Sequence, residues 1–232
     1  MIQGSPIGKR LEHCTFDNFN VDERNQEAYA ACRRLAEEGR PGVLLMGRNG
    51  VGKTHLLVAT MKSFEARRST PRRAAGKPLS EERVRIPSAA EILQVAAENP
   101  DDGESDAAPA LSTDEIARRI HVEYWPLLDL VSELRLEITR GQQELSRRCR
   151  ECDLLALDDL GAERVTDFVL EELERIVDWR YRTLRPTAVA TNLKSTTEIG
   201  AKYGQRALSR WAAACELVTV LGSDRRASME PS

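Results

Sequence analysis

The chain has 232 residues, 31% of them charged and 41% hydrophobic, which is enough for one sizeable α/β domain with a real core or for one domain plus a small appendage. No apolar run approaches the roughly 18 residues of a membrane span, and Met1-Ile2-Gln3-Gly4-Ser5-Pro6 lacks the apolar stretch of a secretory signal, so a cytoplasmic protein without membrane contact is expected. A net charge of −3 and a pI near 5.8 do not advertise nucleic-acid binding, so any DNA contact has to come from local basic groups.

In chain order, residues 14–40 read as an entry segment followed by an amphipathic helix, with Ala28, Ala31, Cys32 and Leu35 on one face and Gly39 and Pro41-Gly42 as its stop. Val43-Leu44-Leu45-Met46 has the continuous apolar character of a strand buried on both faces of a parallel sheet. A Gly-rich loop then leads into a helix at His55-Leu56-Leu57-Val58-Ala59. From about 67 to 118 the chain changes character, with a basic, breaker-rich start (Arg67 to Arg73), a short helix candidate at Ala89 to Ala97 and an acidic run from Asn99 to Asp106. This stretch reads as a surface insertion, either a solvated loop or a dedicated binding element.

Ile120 to Tyr124 is the next strand candidate, followed by an amphipathic helix from Leu127 to Arg140, a break at Gly141 and a second helix from about Gln142 to Arg150. Leu154-Leu155-Ala156-Leu157 is another buried strand, Phe168 to Leu184 a helix, Thr187 to Thr191 a fourth strand, Gly204 to Cys215 a helix and Leu217 to Leu221 a fifth strand. Strands alternating with helices imply an α/β fold built on a parallel, doubly wound sheet of five strands. The five cysteines make no disulfide framework. Cys149 and Cys152 form a C-x-x-C, read as ordinary packing residues, because structural zinc needs about four ligands and neither a second pair nor a suitably spaced histidine accompanies it.

The chemistry concentrates in two motifs. Gly47-Arg48-Asn49-Gly50-Val51-Gly52-Lys53-Thr54 fits the phosphate-loop pattern G-x-x-x-x-G-K-[ST] between a buried strand and a helix. Its glycines permit positive φ, so successive N–H groups can face phosphate oxygens, and the helix N-terminus adds partial positive charge. Lys53 is expected to reach the β- and γ-phosphates of ATP, and the Thr54 hydroxyl to ligate Mg2+. Asp158 and Asp159 emerge at the carboxyl end of a buried strand, where parallel α/β sheets place ligands. Asp158 is expected to hold the Mg2+ and Asp159 to polarise the attacking water.

The long stretch between Thr54 and Leu154 implies that a further strand separates the phosphate-loop strand from the Asp-bearing one, as in ATPases that activate water within the sheet. Asn192, leaving the fourth strand, is a candidate γ-phosphate sensor, the alternative being an Asx turn. Arg206 and Arg210 lie one helical turn apart, and either is a candidate to enter a neighbouring subunit's site, with Arg206 favoured.

These residues, taken together, resemble the DnaC/IstB group of AAA+ ATPases, the helicase loaders and transposition helper proteins related to DnaA. The resemblance rests on Phe16-Asp17-Asn18-Phe19, Gly47 through His55 to Leu56, and Leu157 to Glu163. It continues with Trp179 to Arg182, Arg185-Pro186-Thr187, Thr191-Asn192-Leu193, Gly204 to Arg210 and Gly222 to Arg226, and has no counterpart for the insertion. It implies an AAA+ domain over residues 16–226 between tails at 1–15 and 227–232, with ATP and Mg2+ as cofactors and His55 among the nucleotide-site residues.

It also implies a homo-oligomeric spiral or filament, contact with single-stranded or duplex DNA, and a protein partner such as a helicase or transposase. By motif position Asn192 matches the sensor and Arg206 the arginine finger, while the paired helices from Leu127 to Arg150 match a DNA-lining element. Arg135, Arg140, Arg147 and Arg148 are the candidate phosphate contacts there, the alternative being a solvated helix face. The short segment before Phe16 and the end of the chain soon after the fifth strand imply neither an N-terminal partner-binding domain nor a C-terminal helical lid. Two other functions stay in view, an ATP-gated assembly module with negligible turnover and a small-molecule phosphotransferase.

Overall fold

The computed structural model describes residues 2–69 and 120–224. Most of the proposed insertion, the helix expected at 89–97, the acidic run and the arginines at 225 and 226 lie outside these residues. The order is β1 (Ile2–Gly4), α1 (Gln26–Glu38), β2 (Gly42–Met46), α2 (Lys53–Ser69), β3 (Val122–Pro126), α3 (Leu127–Thr139), α4 (Glu144–Glu151) and β4 (Leu154–Leu160). It continues with α5 (Asp167–Arg182), β5 (Thr187–Thr191), α6 (Thr196–Tyr203), α7 (Gln205–Ala214) and β6 (Cys215–Thr219).

All strand pairs are parallel, and the sheet order is β1-β3-β4-β5-β2-β6. Side chains alternate across the pleat, so each apolar strand feeds two cores. Val43 and Leu45 of β2 pack with Ala31, Leu35, Leu57 and Met61 from α1 and α2. Leu44 and Met46 face the other layer, with Leu130, Leu173, Ile176 and Trp211. At the end of α1 the Gly39 N–H bonds the Leu35 carbonyl at 2.9 Å, with Gly39 at φ 86° in the left-handed region that favours glycine. Ser195 and Thr166 cap α6 and α5 with their hydroxyls.

Two expectations about the sheet need correction. It has six strands rather than five: Ile2–Gly4, within the expected N-terminal tail, adds an edge strand beside β3. Three residues carry too short a pattern to stand out, and the existing edge of β3 supplies the template. The strand between the phosphate loop and the Asp-bearing strand exists, but it is β5, which follows both in sequence, rather than the strand within the long interval. That one, β3, lies on the far side of β4. The helix α6 was also unforeseen, being a short piece between two expected elements.

Candidate functional site

Phosphate loop and acidic strand meet at the carboxyl ends of β2, β4 and β5. The loop leaves β2 at Gly47 and turns through Gly50 and Gly52, both at positive φ (80° and 104°), into the first residue of α2, Lys53. The Lys53 ammonium is buried and donates to the carbonyls of Gly47 (2.9 Å) and Arg48 (2.7 Å) and to Asn192 Oδ1 (2.8 Å). Asn192 in turn donates from Nδ2 to Asp159 Oδ1 at 3.2 Å. Lys53, Asn192 and Asp159 therefore form one hydrogen-bonded chain across three strands.

Asp158 closes a second chain. Its Oδ1 accepts from Thr54 Oγ1 (3.2 Å) and the Asp159 N–H (3.0 Å), and its Oδ2 from the hydroxyl of Tyr124 (3.0 Å). Burial first, and then the neighbouring Asp159, push the Asp158 carboxyl up to about 6. Burial and the adjacent Asp158 likewise raise the Tyr124 phenol, which stays protonated and donating. Tyr124 was not anticipated. Its only sequence signal is its place on the strand beside β4, two residues before Pro126, the register partner of Asp158.

How two successive aspartates serve one site is explained by a β-bulge. In a regular strand Asp158 and Asp159 would face opposite sides of the sheet. Between Leu157 and Leu160 the pairing with β5 skips one residue, and Asp159 sits at φ 52°. A non-glycine residue in the left-handed region is uncommon and concentrates at functional positions. Asp158 stays buried while Asp159 is exposed and reaches Asn192.

Flanking residues form the site's walls. His55, expected among the nucleotide-contacting residues, donates from Nε2 to the Thr15 carbonyl at 2.8 Å and meets the Phe19 ring edge-on. Phe19 also lies against the loop: a β-carbon at Gly52 would sit 2.8 Å from its ring. Asn18 fixes the turn before it, bonding Thr15 N–H and the His13 carbonyl. The Phe16-Asp17-Asn18-Phe19 segment is thus the packed wall of the phosphate loop. Behind the bulge, buried Glu163 accepts from the Gly161 N–H at 3.1 Å and from the Tyr203 hydroxyl, tying α6 to the acidic strand's exit. A cavity of about 370 Å³ adjoins the loop, lined by Gly47, Arg48, Val51, Lys194 and the turn after β6.

The remaining candidates lie apart from this cluster. Arg206 is exposed and ion-paired with Glu174 at 2.7 Å. Arg210 is tied down, reaching Asp178 at 2.5 Å. Of the four proposed phosphate contacts, Arg135 lies over the Phe168 ring and Arg140 is exposed at the end of α3. Arg147 is exposed between Glu144 and Glu151. Arg148 folds back on Glu123, donating from Nε (2.9 Å) and Nη2 (2.8 and 3.0 Å). Cys149 and Cys152 are buried thiols, and Cys152 accepts from Arg180 at 3.2 Å.

The family profile of the bacterial DnaA ATPase domain matches residues 11–74, which hold the wall segment and the phosphate loop. Among curated proteins, the uncharacterized YqaM of Bacillus subtilis is 20% identical over 208 residues, covering 83% of this chain and 50% of that protein. The DnaA of Cereibacter sphaeroides is 40% identical over 70 residues, 28% of this chain and 14% of that protein. The chain therefore spans about half the length of one such relative and a small part of the other.

Among solved structures, the DnaC helicase loader superposes with a TM-score of 0.65 at 20% identity, covering 92% of this chain and 99% of that one. DnaI gives 0.62 at 18% identity, with 97% of each chain covered. A DnaA bound to AMPPCP and single-stranded DNA gives 0.63 at 19% identity, over 93% of this chain and 52% of that one. The fold is that of the AAA+ P-loop proteins, a parallel sheet flanked by helices with the phosphate loop two strands from the acidic bulge. Within that class it is the fold shared by the DnaC and DnaI loaders and the DnaA ATPase domains, in line with the resemblance carried by the motifs.

Proposed function

We propose that the chain is an AAA+ ATPase that binds ATP with Mg2+, hydrolyses it as an oligomer and acts on DNA, in the manner of a helicase loader or transposition helper. The observation that carries this reading is the double chain Lys53–Asn192–Asp159 and Thr54–Asp158–Tyr124 converging at one end of the sheet. The donor set fits a hydrated Mg2+. It pairs the Thr54 hydroxyl with a buried carboxylate beside a second carboxylate, a like-charge arrangement that a cation relieves. Bound there, the ion would neutralise charge on the β- and γ-phosphates.

The chain's own residues supply the rest. The glycine turns expose backbone N–H groups to the phosphates. Lys53 exchanges its carbonyl partners for phosphate oxygens. Asp159, exposed on the bulge and held by Asn192, orients the attacking water and takes its proton. Asn192 senses the γ-phosphate because the same amide contacts both Lys53 and Asp159. Arg206, on an exposed helix face, reaches a neighbouring copy by exchanging its ion pair with Glu174.

The test is steady-state phosphate release from ATP, with and without single-stranded DNA, in wild type and Lys53→Ala. DNA-stimulated release that vanishes in the variant is the expected result. Nucleotide binding with negligible release under every condition would instead identify an ATP-gated assembly module. Transfer of phosphate to a small acceptor would overturn the ATPase reading.

A further inference from the structure

We infer that Asp224, in the segment after β6, is a built-in competitor for the phosphate loop, so that nucleotide binding requires this segment to leave. The inference rests on the proposed nucleotide site and adds its regulation.

Up to Leu221 the segment is fastened to the loop's own strand and flank. The Val220 N–H bonds the Met46 carbonyl at 2.7 Å, and the Leu221 N–H bonds the Arg24 carbonyl at 3.3 Å. Val220 is also seated on the loop's first residue, since a β-carbon at Gly47 would lie 2.4 Å from its carbonyl oxygen. Beyond Leu221 the chain passes through Gly222, at φ 150° with open space around it, and then brings the Asp224 carboxylate onto Gly50. A β-carbon at Gly50 would lie 1.8 Å from Asp224 Oδ1 and 2.8 Å from Oδ2. The carboxylate thus occupies the space a side chain at position 50 would take, at the left-handed turn of the loop that is to cradle phosphate.

A carboxylate and a triphosphate carry like charge, and two like charges in contact repel even at an exposed position such as Asp224. Both cannot hold the loop. The arm has a fixed base at Val220 and Leu221, an unobstructed glycine pivot at Gly222, and a charged tip two residues further on. Phosphate arriving at the loop displaces the tip, so the position of Ser223 and Asp224 reports whether the site is filled.

The experiment is equilibrium titration of the full chain with methylanthraniloyl-ATP and Mg2+ at low and high salt, for wild type, Asp224→Asn, Asp224→Glu and Lys53→Ala. The expected result is about tenfold tighter binding in Asp224→Asn, the worth of one like-charge contact. The gain shrinks at high salt, and Asp224→Glu binds as wild type does. Unchanged or weaker binding in Asp224→Asn, with wild-type binding intact and lost in Lys53→Ala, overturns the competitor while leaving the nucleotide site standing. Failure of every variant to bind the probe overturns both.

Discussion

Buried charge gathers at both ends of the same sheet, and the two clusters differ in how their charges are answered. At the amino ends of β3 and β5, Glu123 is fully buried and accepts from Arg148, His121 and Trp125. Beside it, fully buried Arg180 donates to the carbonyls of Cys149, Arg150, Cys152 and Pro186 and to the Thr187 hydroxyl, closing the end of α4. Opposite charges and dipoles meet there within the chain. At the carboxyl ends, Asp158 lies against the like-charged Asp159, and burial holds its proton more tightly than in an ordinary carboxylate. A closed cluster holds the fold together; a cluster with like charges side by side fits the cation proposed for it.

The sharpest break of this comparison is Arg148→Ala. Removing Arg148 leaves the buried Glu123 with His121 and Trp125 as its remaining partners, and because Arg148 is itself partly exposed the cost is about 2–3 kcal/mol. Urea unfolding is expected to show that loss, with ATP affinity unchanged in the folded protein. Stability shifted by less than about 1 kcal/mol, with weaker single-stranded DNA binding, would move Arg148 from the closed cluster to a DNA surface.

At the open end the sign reverses. The folded carboxyl of Asp158 titrates at about 6, above its ordinary value near 4, so ionising it costs stability that is regained as pH falls through 6 towards 4. The Mg2+-free protein is therefore expected to gain up to about 3 kcal/mol from this group between pH 7 and pH 4, set against any losses elsewhere. Asp158→Asn should flatten that component and stabilise the metal-free protein at pH 7, while weakening Mg2+-dependent nucleotide binding. Denaturation at several pH values for both proteins checks this, and identical pH profiles would show that Asp158 carries no such cost.

A smaller effect is expected for Tyr124→Phe, which keeps the ring and removes one donor to Asp158. The loss of about 1 kcal/mol in aligning the carboxylate corresponds to roughly fivefold weaker Mg2+ dependence of nucleotide binding. A Mg2+ titration reads it directly. An unchanged titration would reduce Tyr124 to a packing residue.

Much of the open cluster was legible in the sequence because its chemistry is local. A G-x-x-x-x-G-K-T loop needs its glycines where the backbone turns, and two aspartates after an apolar run announce a strand's carboxyl end. The bulge was not legible, since a register slip depends on the neighbouring strand and leaves no mark in Leu157-Asp158-Asp159-Leu160. Tyr124 was hidden for the same reason, its hydroxyl meeting Asp158 from another strand. The closed cluster was read least well. Arg148 sits in a basic run that reads as a solvated or DNA-facing helix, and only packing against β3 reveals Glu123 beneath it. His55 was expected among the nucleotide-site residues and Phe16 to Phe19 carried only the family resemblance; their packing together beside the phosphate loop emerges only in three dimensions.

The finest distinction lies between Arg140 and Arg147, both exposed on the paired helices α3 and α4 and both candidates for DNA phosphate. Arg147 is held between Glu144 and Glu151 at 2.7 and 2.9 Å, so an incoming phosphate has to displace two carboxylates. Arg140, at the end of α3, has no ion pair among the described residues. If the helices line DNA, Arg140→Ala should lower single-stranded DNA affinity and reduce the slope of log K against log salt by about 0.7, the share of one neutralised phosphate. Arg147→Ala should change the slope less, because Glu144 and Glu151 already answer its charge within the chain. Equal slopes in both variants and wild type would place the DNA contact elsewhere. A larger loss at Arg147 would mean that its carboxylates release it on binding, making this helix pair a second place where internal partners give way to phosphate.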